Sequence, residues 1–155
     1  MDIRKLADGE RPPMELLLSA DPSLLKVEDY LQRGECYAAY DEAGITGVYV
    51  LLPIRPDTAE LVNVAVAEEH QGKGLGKQLV LHAIQVAANQ GFTTIEVGTG
   101  NSSVGQLALY QKCGFRITGV EPDFFTKHYP EVIYENGMIC RDMLRLRQEI
   151  HRNDG

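Results

Sequence analysis

One hexapeptide constrains this chain more than any other stretch. Gln71-Gly72-Lys73-Gly74-Leu75-Gly76 stands between a strand-like apolar run over residues 59–66 and a segment of helical period over residues 75–89. At about 100° per residue, Leu75, Leu79, Val80, Ala83, Ile84, Val86 and Ala87 fall within a half-turn, with Gln78, His82, Gln85 and Asn89 opposite. A glycine-rich turn at the entry of such a helix lets the backbone take positive φ and come close to a ligand. The N–H groups of the first helical turn lack intrahelical acceptors, and together with the helix dipole they favour an anion. Lys73 and Lys77 add positive charge. Strand, turn and helix thus form an anion cradle.

Spacing decides which cradle it is not. A P-loop carries a glycine five residues before its Gly-Lys pair and a Ser or Thr after it. Here Gln71 and Gln78 occupy those places, so the magnesium hydroxyl is missing. A dinucleotide fingerprint spaces its glycines as Gly-x-Gly-x-x-Gly in the opening unit of a parallel sheet. Here the glycines fall at 72, 74 and 76, Lys77 takes the last required place, and the strand is about the fourth of the chain. From the residues alone, a glycine turn without a ligand stays open.

The rest of the chain reads as strands and helices in one domain, residues 1–155. Residues 2–6 form a short strand. Residues 13–18 and 27–33 look helical, with Gly34 as a stop. Residues 35–40 and 45–52 are strands joined by the hairpin turn Asp41-Glu42-Ala43-Gly44. Gly91 ends the long helix, residues 92–97 form a strand, and residues 98–102 form a loop. Ser103 reads as an N-cap with Gln106 as its capping-box partner. That helix runs to Cys113 and stops at Gly114. Residues 115–120 form a strand, and residues 137–146 a final one with a helix open at its end. Consecutive strands early and strand–helix–strand units later predict an α/β fold: a mixed, mostly antiparallel sheet of six to seven strands flanked by helices.

Charge and cysteines narrow the function classes. Fifteen basic against 22 acidic residues leave a net −7, which argues against a nucleic-acid surface. Between His70 and Val120, however, Lys73, Lys77, Lys112 and Arg116 face a single acid, Glu96, so this third carries 4 − 1 = +3. That split suits a local anion site. Cys36, Cys113 and Cys140 are odd in number and far apart, and the four histidines have no ligand spacing, so no disulfide framework or metal site is expected. Reduced thiols point to the cytoplasm. No apolar run is long enough for a membrane span, and the N-terminus has no signal-peptide core.

What does fit the turn is Gln-x-x-Gly-x-Gly, and Gln71 to Gly76 resembles the pyrophosphate loop of the GNAT N-acetyltransferase superfamily. Upstream, Leu61-Val62-Asn63-Val64-Ala65-Val66 is similar to the family's central strand. Downstream, Asn101 and then Ala108-Leu109-Tyr110-Gln111-Lys112-Cys113-Gly114-Phe115 resemble its Asn…Ala-x-x-Tyr-x-x-x-Gly-Phe signature. The match is strong over about residues 59–120, and the C-terminal stretch looks like a small bacterial subgroup.

The resemblance implies an acetyl-CoA-dependent N-acetyltransferase with direct transfer in a ternary complex and no metal. Backbone amides of Gln71, Gly72, Lys73, Gly74, Leu75 and Gly76, with Lys77, would hold the pyrophosphate. The strand Val64-Ala65-Val66, splayed from its neighbour at a bulge, would bond the pantetheine arm, as would Asn101. Tyr110 is the implied general acid for the departing thiolate. An amine acceptor is mostly protonated at neutral pH, so a base is needed. Glu96 is the candidate, in mid-strand and five residues before Asn101, and Glu60 on the preceding strand is its rival; a water chain would let both act. Phe124, Phe125 and Tyr129, with Glu121 and Asp123, lie in the substrate-side region, where acids and aromatics suit a cationic amine. Cys113 reads as packing. The acceptor is a small amine or a protein N-terminus, and a homodimer is common in the family. A non-catalytic acyl-CoA-binding module is the other reading; it would keep the loop and Asn101 but need neither Tyr110 nor Glu96.

Overall fold

Strand β3 (Gly44–Arg55) shows how the sheet is buried on both sides. Val48, Val50 and Leu52 enter one apolar layer, with Leu17, Val27 and Tyr30, whereas Tyr49 and Leu51 enter the other, with Leu61, Leu79, Ala83, Ile95 and Leu146. Alternate side chains of a strand face opposite ways, so a strand covered on both faces reads as a continuous apolar run.

A computed structural model describes residues 2–151. The other strands are β1 (Asp2–Lys5), β2 (Glu35–Asp41), β4 (Thr58–Val66), β5 (Thr94–Gly100), β6 (Arg116–Glu121), β7 (Tyr134–Glu135), β8 (Met138–Ile139) and β9 (Met143–Glu149). The helices are α1 (Met14–Ala20), α2 (Leu24–Arg33), α3 (Leu75–Asn89), α4 (Val104–Lys112) and α5 (Phe124–His128). Seven strands form one sheet in the order β1-β2-β3-β4-β5-β9-β6, and β7 pairs with β8 apart from it. Among the described residues, only β4 and β5 pair in parallel. The mixed, mostly antiparallel sheet flanked by helices is as expected. Helices α1 and α2 pack on one face, and α3 and α4 contribute to the layer on the other.

Two irregularities open this sheet. The β4–β5 ladder runs from Thr58↔Thr94 to Leu61↔Val97 and stops, although both strands continue. At the same level the β3–β4 register steps from Leu51↔Leu61 to Val50↔Asn63, leaving Val62 as an extra residue. A bulge of this kind bends its strand and ends pairing. From Val62 to Val66 the β5-facing edge of β4 has no ladder partner among the described residues.

Several expectations are corrected here. Residues 98–100 are strand, paired with Arg145 to Met143, not loop. Their small side chains are required by packing: a Cβ on Gly98 would meet Met143 Sδ at 2.6 Å, and one on Gly100 would clash with Cys140 Sγ. The final strand breaks at residues 140–142, where the Asn101 side-chain oxygen Oδ1 accepts the N–H groups of Arg141 and Asp142, and among the described residues no helix follows it. The capping box at Ser103 does not form: Ser103 Oγ donates to Glu135 instead. Helix α5 and the β7–β8 hairpin lie largely in a stretch whose pattern predicts no element. His82 does not simply face solvent, since its Nδ1 lies 2.8 Å from the Tyr49 hydroxyl.

Candidate active site

The opened edge of β4 separates two cavities that share Val64 and Gln106 as common wall. The smaller, about 280 Å³, lies under the glycine turn. Gly72 and Gly74 hold φ of +77° and +83°, and Gly74 is the N-cap of α3 with no side-chain cap. Nothing lies within 4 Å of a Cβ placed on either glycine, so the conformation, not crowding, requires them. Among the described residues, no protein acceptor takes the N–H groups of residues 72–77; the helix ladder begins with Gln78 donating to Gly74 O. These amides and the dipole of α3 make the turn a seat for an anion. Lys73 and Lys77 are exposed beside it and line neither cavity.

Gln71 is corrected. Its backbone N–H donates to Glu68 O, and its Nε2 donates to Val66 O, so it closes the loop onto β4 and lends the cradle no free amide. Leu75 offers only its N–H, because its side chain is core. Val64 and Val66 line the smaller cavity; Ala65 lines neither and packs into the α1–α2 layer.

The larger cavity, about 400 Å³, is floored by the splayed strands at Val62 to Val64 and Gly98 to Gly100. Tyr110 enters from α4, 5% exposed, its ring edge-on to Phe115. Its hydroxyl has no hydrogen-bond partner among the described residues, and burial raises its pKa well above the usual phenol range. The phenol therefore keeps its proton at neutral pH.

Other predicted residues sit elsewhere. Asn101 lines neither cavity; its Oδ1 accepts from Arg141 and Asp142, and its Nδ2 donates to Ile139 O, so it organises the 139–142 turn. Glu96 and Glu60 are register partners on β5 and β4 but do not line the cavity either. Glu96 Oε2 is bonded to Arg55 at 2.5 Å. Glu60 lies 3.7 Å from Arg145, and its carboxyl is pushed above the ordinary range by burial first, with Glu96 and Glu121 adding to the rise and Arg145 opposing it. Glu121 bonds Arg145, and Asp123 caps α5 in the left-handed region. Phe125 and Tyr129 do line the cavity, but Phe124 does not: it faces Lys26, His128 and Arg145.

Sequence reasoning missed a polar network in the cavity wall. Asp21, in the α1–α2 loop, accepts from the Tyr129 hydroxyl at 2.8 Å, the Tyr30 hydroxyl at 3.2 Å and Ser23 N at 3.2 Å. Asn63 Nδ2 donates to Tyr30 Oη and to Leu17 O. An asparagine inside an apolar strand was the available signal, since a buried amide needs partners. No group of three His, Cys, Asp or Glu among the described residues could hold a metal ion.

A model of the acetyltransferase (GNAT) family matches residues 3–115. The chain is 61% identical over 132 residues to the uncharacterised N-acetyltransferase YvbK of Bacillus subtilis, covering 85% of each chain. A structure described as an IAA acetyltransferase from Bacillus cereus superposes with a TM-score of 0.93 at 54% identity, covering 96% of this chain and 99% of that one. A GNAT family acetyltransferase from Elizabethkingia anophelis with acetyl-CoA bound superposes at 0.94 with 46% identity, covering 96% and 97%. The chain belongs to the acetyltransferase (GNAT) family.

Proposed function

We propose that this family member transfers the acetyl group of acetyl-CoA to an amine by direct attack within a ternary complex. The observation that carries the reading is the run of unpartnered amides at residues 72–77, beside a cavity that meets the Tyr110 cavity at Val64 and Gln106. The acetyl-CoA complex of the Elizabethkingia neighbour supports the same donor. The amides of Gly72 to Lys77 take the diphosphate, with Lys73 and Lys77 adding charge. The free edge of β4 from Val64 to Val66 bonds the pantetheine amides as another strand would.

The thioester supplies a carbonyl carbon open to attack. The amine lone pair forms the new C–N bond, the C–S bond breaks, the amine's surplus proton goes to a base, and the sulfur takes a proton. Tyr110 donates that last proton. Burial holds its pKa up, but a thiolate released in the same dry pocket is destabilised by the same desolvation, so transfer stays feasible. Glu60 and Glu96 lie two residues back from Val62 and Gly98, roughly 7 Å along each strand, within reach of a water chain. Glu60 is the better base, because its carboxyl is held up by burial while Glu96 is tied to Arg55. Burial raises the thiols of Cys113 and Cys140, which disfavours an acyl-cysteine route. Phe125 and Tyr129 form the wall for the acceptor.

Calorimetry with CoA, followed by thiol release from acetyl-CoA across a panel of amines, tests the proposal; no heat with CoA overturns it. Tyr110→Phe is expected to lower kcat by about 10²-fold while changing the CoA Kd less than about twofold. A normal kcat would remove Tyr110 as the acid.

A further inference from the structure

The cavity under the glycine turn has one ionisable side chain in its wall that the proposed chemistry leaves unused. His70 closes the single 3-10 turn Glu68–His70, just before Gln71, and lines that cavity. No carboxylate lines it, and neither Lys73 nor Lys77 does, so among the described residues His70 is its one basic side chain. The ring is not sealed off, since the side chain keeps 26% of its surface exposed.

The ring is backed by an acid that is itself fixed. Asp41, at the end of β2, accepts with Oδ1 from Ala43 N at 2.8 Å and Gly44 N at 3.1 Å, which anchors its carboxylate in the hairpin turn. Its Oδ2 lies 3.6 Å from His70 Nε2. That separation is longer than a hydrogen bond, and it becomes an ion pair when the ring takes up its second proton. The other ring nitrogen, Nδ1, has no hydrogen-bond partner among the described residues. The charged groups of the elements that meet here are Asp41 and Glu42 at the β2–β3 hairpin, Glu68 and Glu69 in the same short turn, Lys73 in the glycine turn and Lys77 on α3. Of the acids, Asp41 alone pairs with the ring among the described residues.

Resting on the acetyl-CoA reading, we infer that His70 is a side-chain ligand of the donor's diphosphate. It binds as imidazolium, with Asp41 as a positioning residue behind it, and CoA enters with uptake of a proton. The amides of residues 72–77 and the dipole of α3 supply partial charges, whereas each phosphoryl group carries a full negative charge. An anion at one ring nitrogen and a carboxylate at the other both favour the charged ring. The protonated ring binds the anion better, so the bound anion raises the ring's affinity for its proton. Binding therefore tightens as pH falls through the histidine range, and it takes up protons above that range.

Calorimetry with dephospho-CoA tests this. That probe keeps the diphosphate and lacks the 3′-phosphate, a monoester that titrates in the same range. Proton uptake is read by repeating the titration in buffers of different ionisation enthalpy. The wild-type protein is expected to bind about fivefold tighter at about pH 6 than at about pH 8, with net proton uptake at the higher pH. His70→Gln keeps an N–H donor without the titrating charge, so its affinity should be flat across that range and the uptake gone. Asp41→Asn should reduce the uptake without abolishing binding. If His70→Gln does not fold, Asp41→Asn decides, and unchanged uptake there overturns the inference. Equal pH dependence and uptake in wild type and His70→Gln overturn it too, as does pH-independent binding by the wild type; acetyl transfer then still stands. If CoA binds and dephospho-CoA does not, the same difference between wild type and variant is read with CoA. No heat with either overturns the reading underneath.

Discussion

The two cavities that meet at Val64 and Gln106 are built from different material. The smaller is mostly backbone: a contiguous turn, residues 72–77, whose amides have no protein acceptor among the described residues and whose glycines set their direction. The larger is mostly side chains drawn from distant segments, with Asp21, Asn63 and Tyr129 joined by hydrogen bonds that span up to 108 residues of sequence. A backbone site tolerates side-chain change but not a change of φ. A side-chain site can be rebuilt residue by residue without moving the other. On the proposed reading, the smaller cavity takes the donor and is fixed by the fold, while the larger takes the acceptor and is free to differ between relatives.

The sharpest way to break this contrast is Gly74→Val. Nothing obstructs a side chain at Gly74, so any damage comes from φ +83°, which a β-branched residue resists. Re-aiming the N-cap of α3 turns the amides away, and CoA affinity in calorimetry should fall about 100-fold. Unchanged affinity would mean that the lysines, not the backbone, hold the diphosphate.

Glu60→Gln tests the border between the halves. Burial raises the Glu60 carboxyl above its unfolded value, so between those two values the folded state binds more protons than the unfolded one. Ionising Glu60 therefore costs stability as pH rises through that window and above it. Removing the charge should raise the melting midpoint at neutral pH relative to wild type, and the difference should vanish once the solution is acidic enough to protonate both states. The same variant should lose about tenfold in kcat and the acidic limb of the pH–rate profile. A retained acidic limb would pass the role of base to Glu96 or to solvent.

The contrast also explains what could be read in the sequence. The turn, the helix of residues 75–89 and the sheet class were legible because period, glycine placement and apolar runs are local signals. The glycines of residues 98–100 give a loop signal, since glycine lowers strand propensity, whereas the structure needs glycine at 98 and 100 under Met143 and Cys140. Asn101 carried a family motif but no sign that its side chain would be bonded to residues 139–142. Gln71 likewise fits the motif while its side chain closes the loop. Asp21, beside Pro22, carries no local signal beyond that of a turn; its value lies in Tyr30 and Tyr129, which only the tertiary fold brings to it.

Tyr129→Phe carries the smallest expected effect and sharpens the comparison most finely. The hydroxyl donates to Asp21 at 2.8 Å and ties the end of α5 to the α1–α2 loop across the larger cavity. Burial and the adjacent Asp21 carboxylate both hold the phenol pKa high, so the bond persists through neutral pH. Its loss leaves Asp21 with Tyr30 and Ser23, and a single partly buried bond to a charged group contributes about 1.5–3 kcal/mol at most. With those two donors remaining, the amine KM should rise only about threefold, and the ring still packs against Phe125. The CoA Kd should not move. If it weakens in step with the amine KM, the strap also shapes Val64 and Gln106, and the two halves are one mechanical unit.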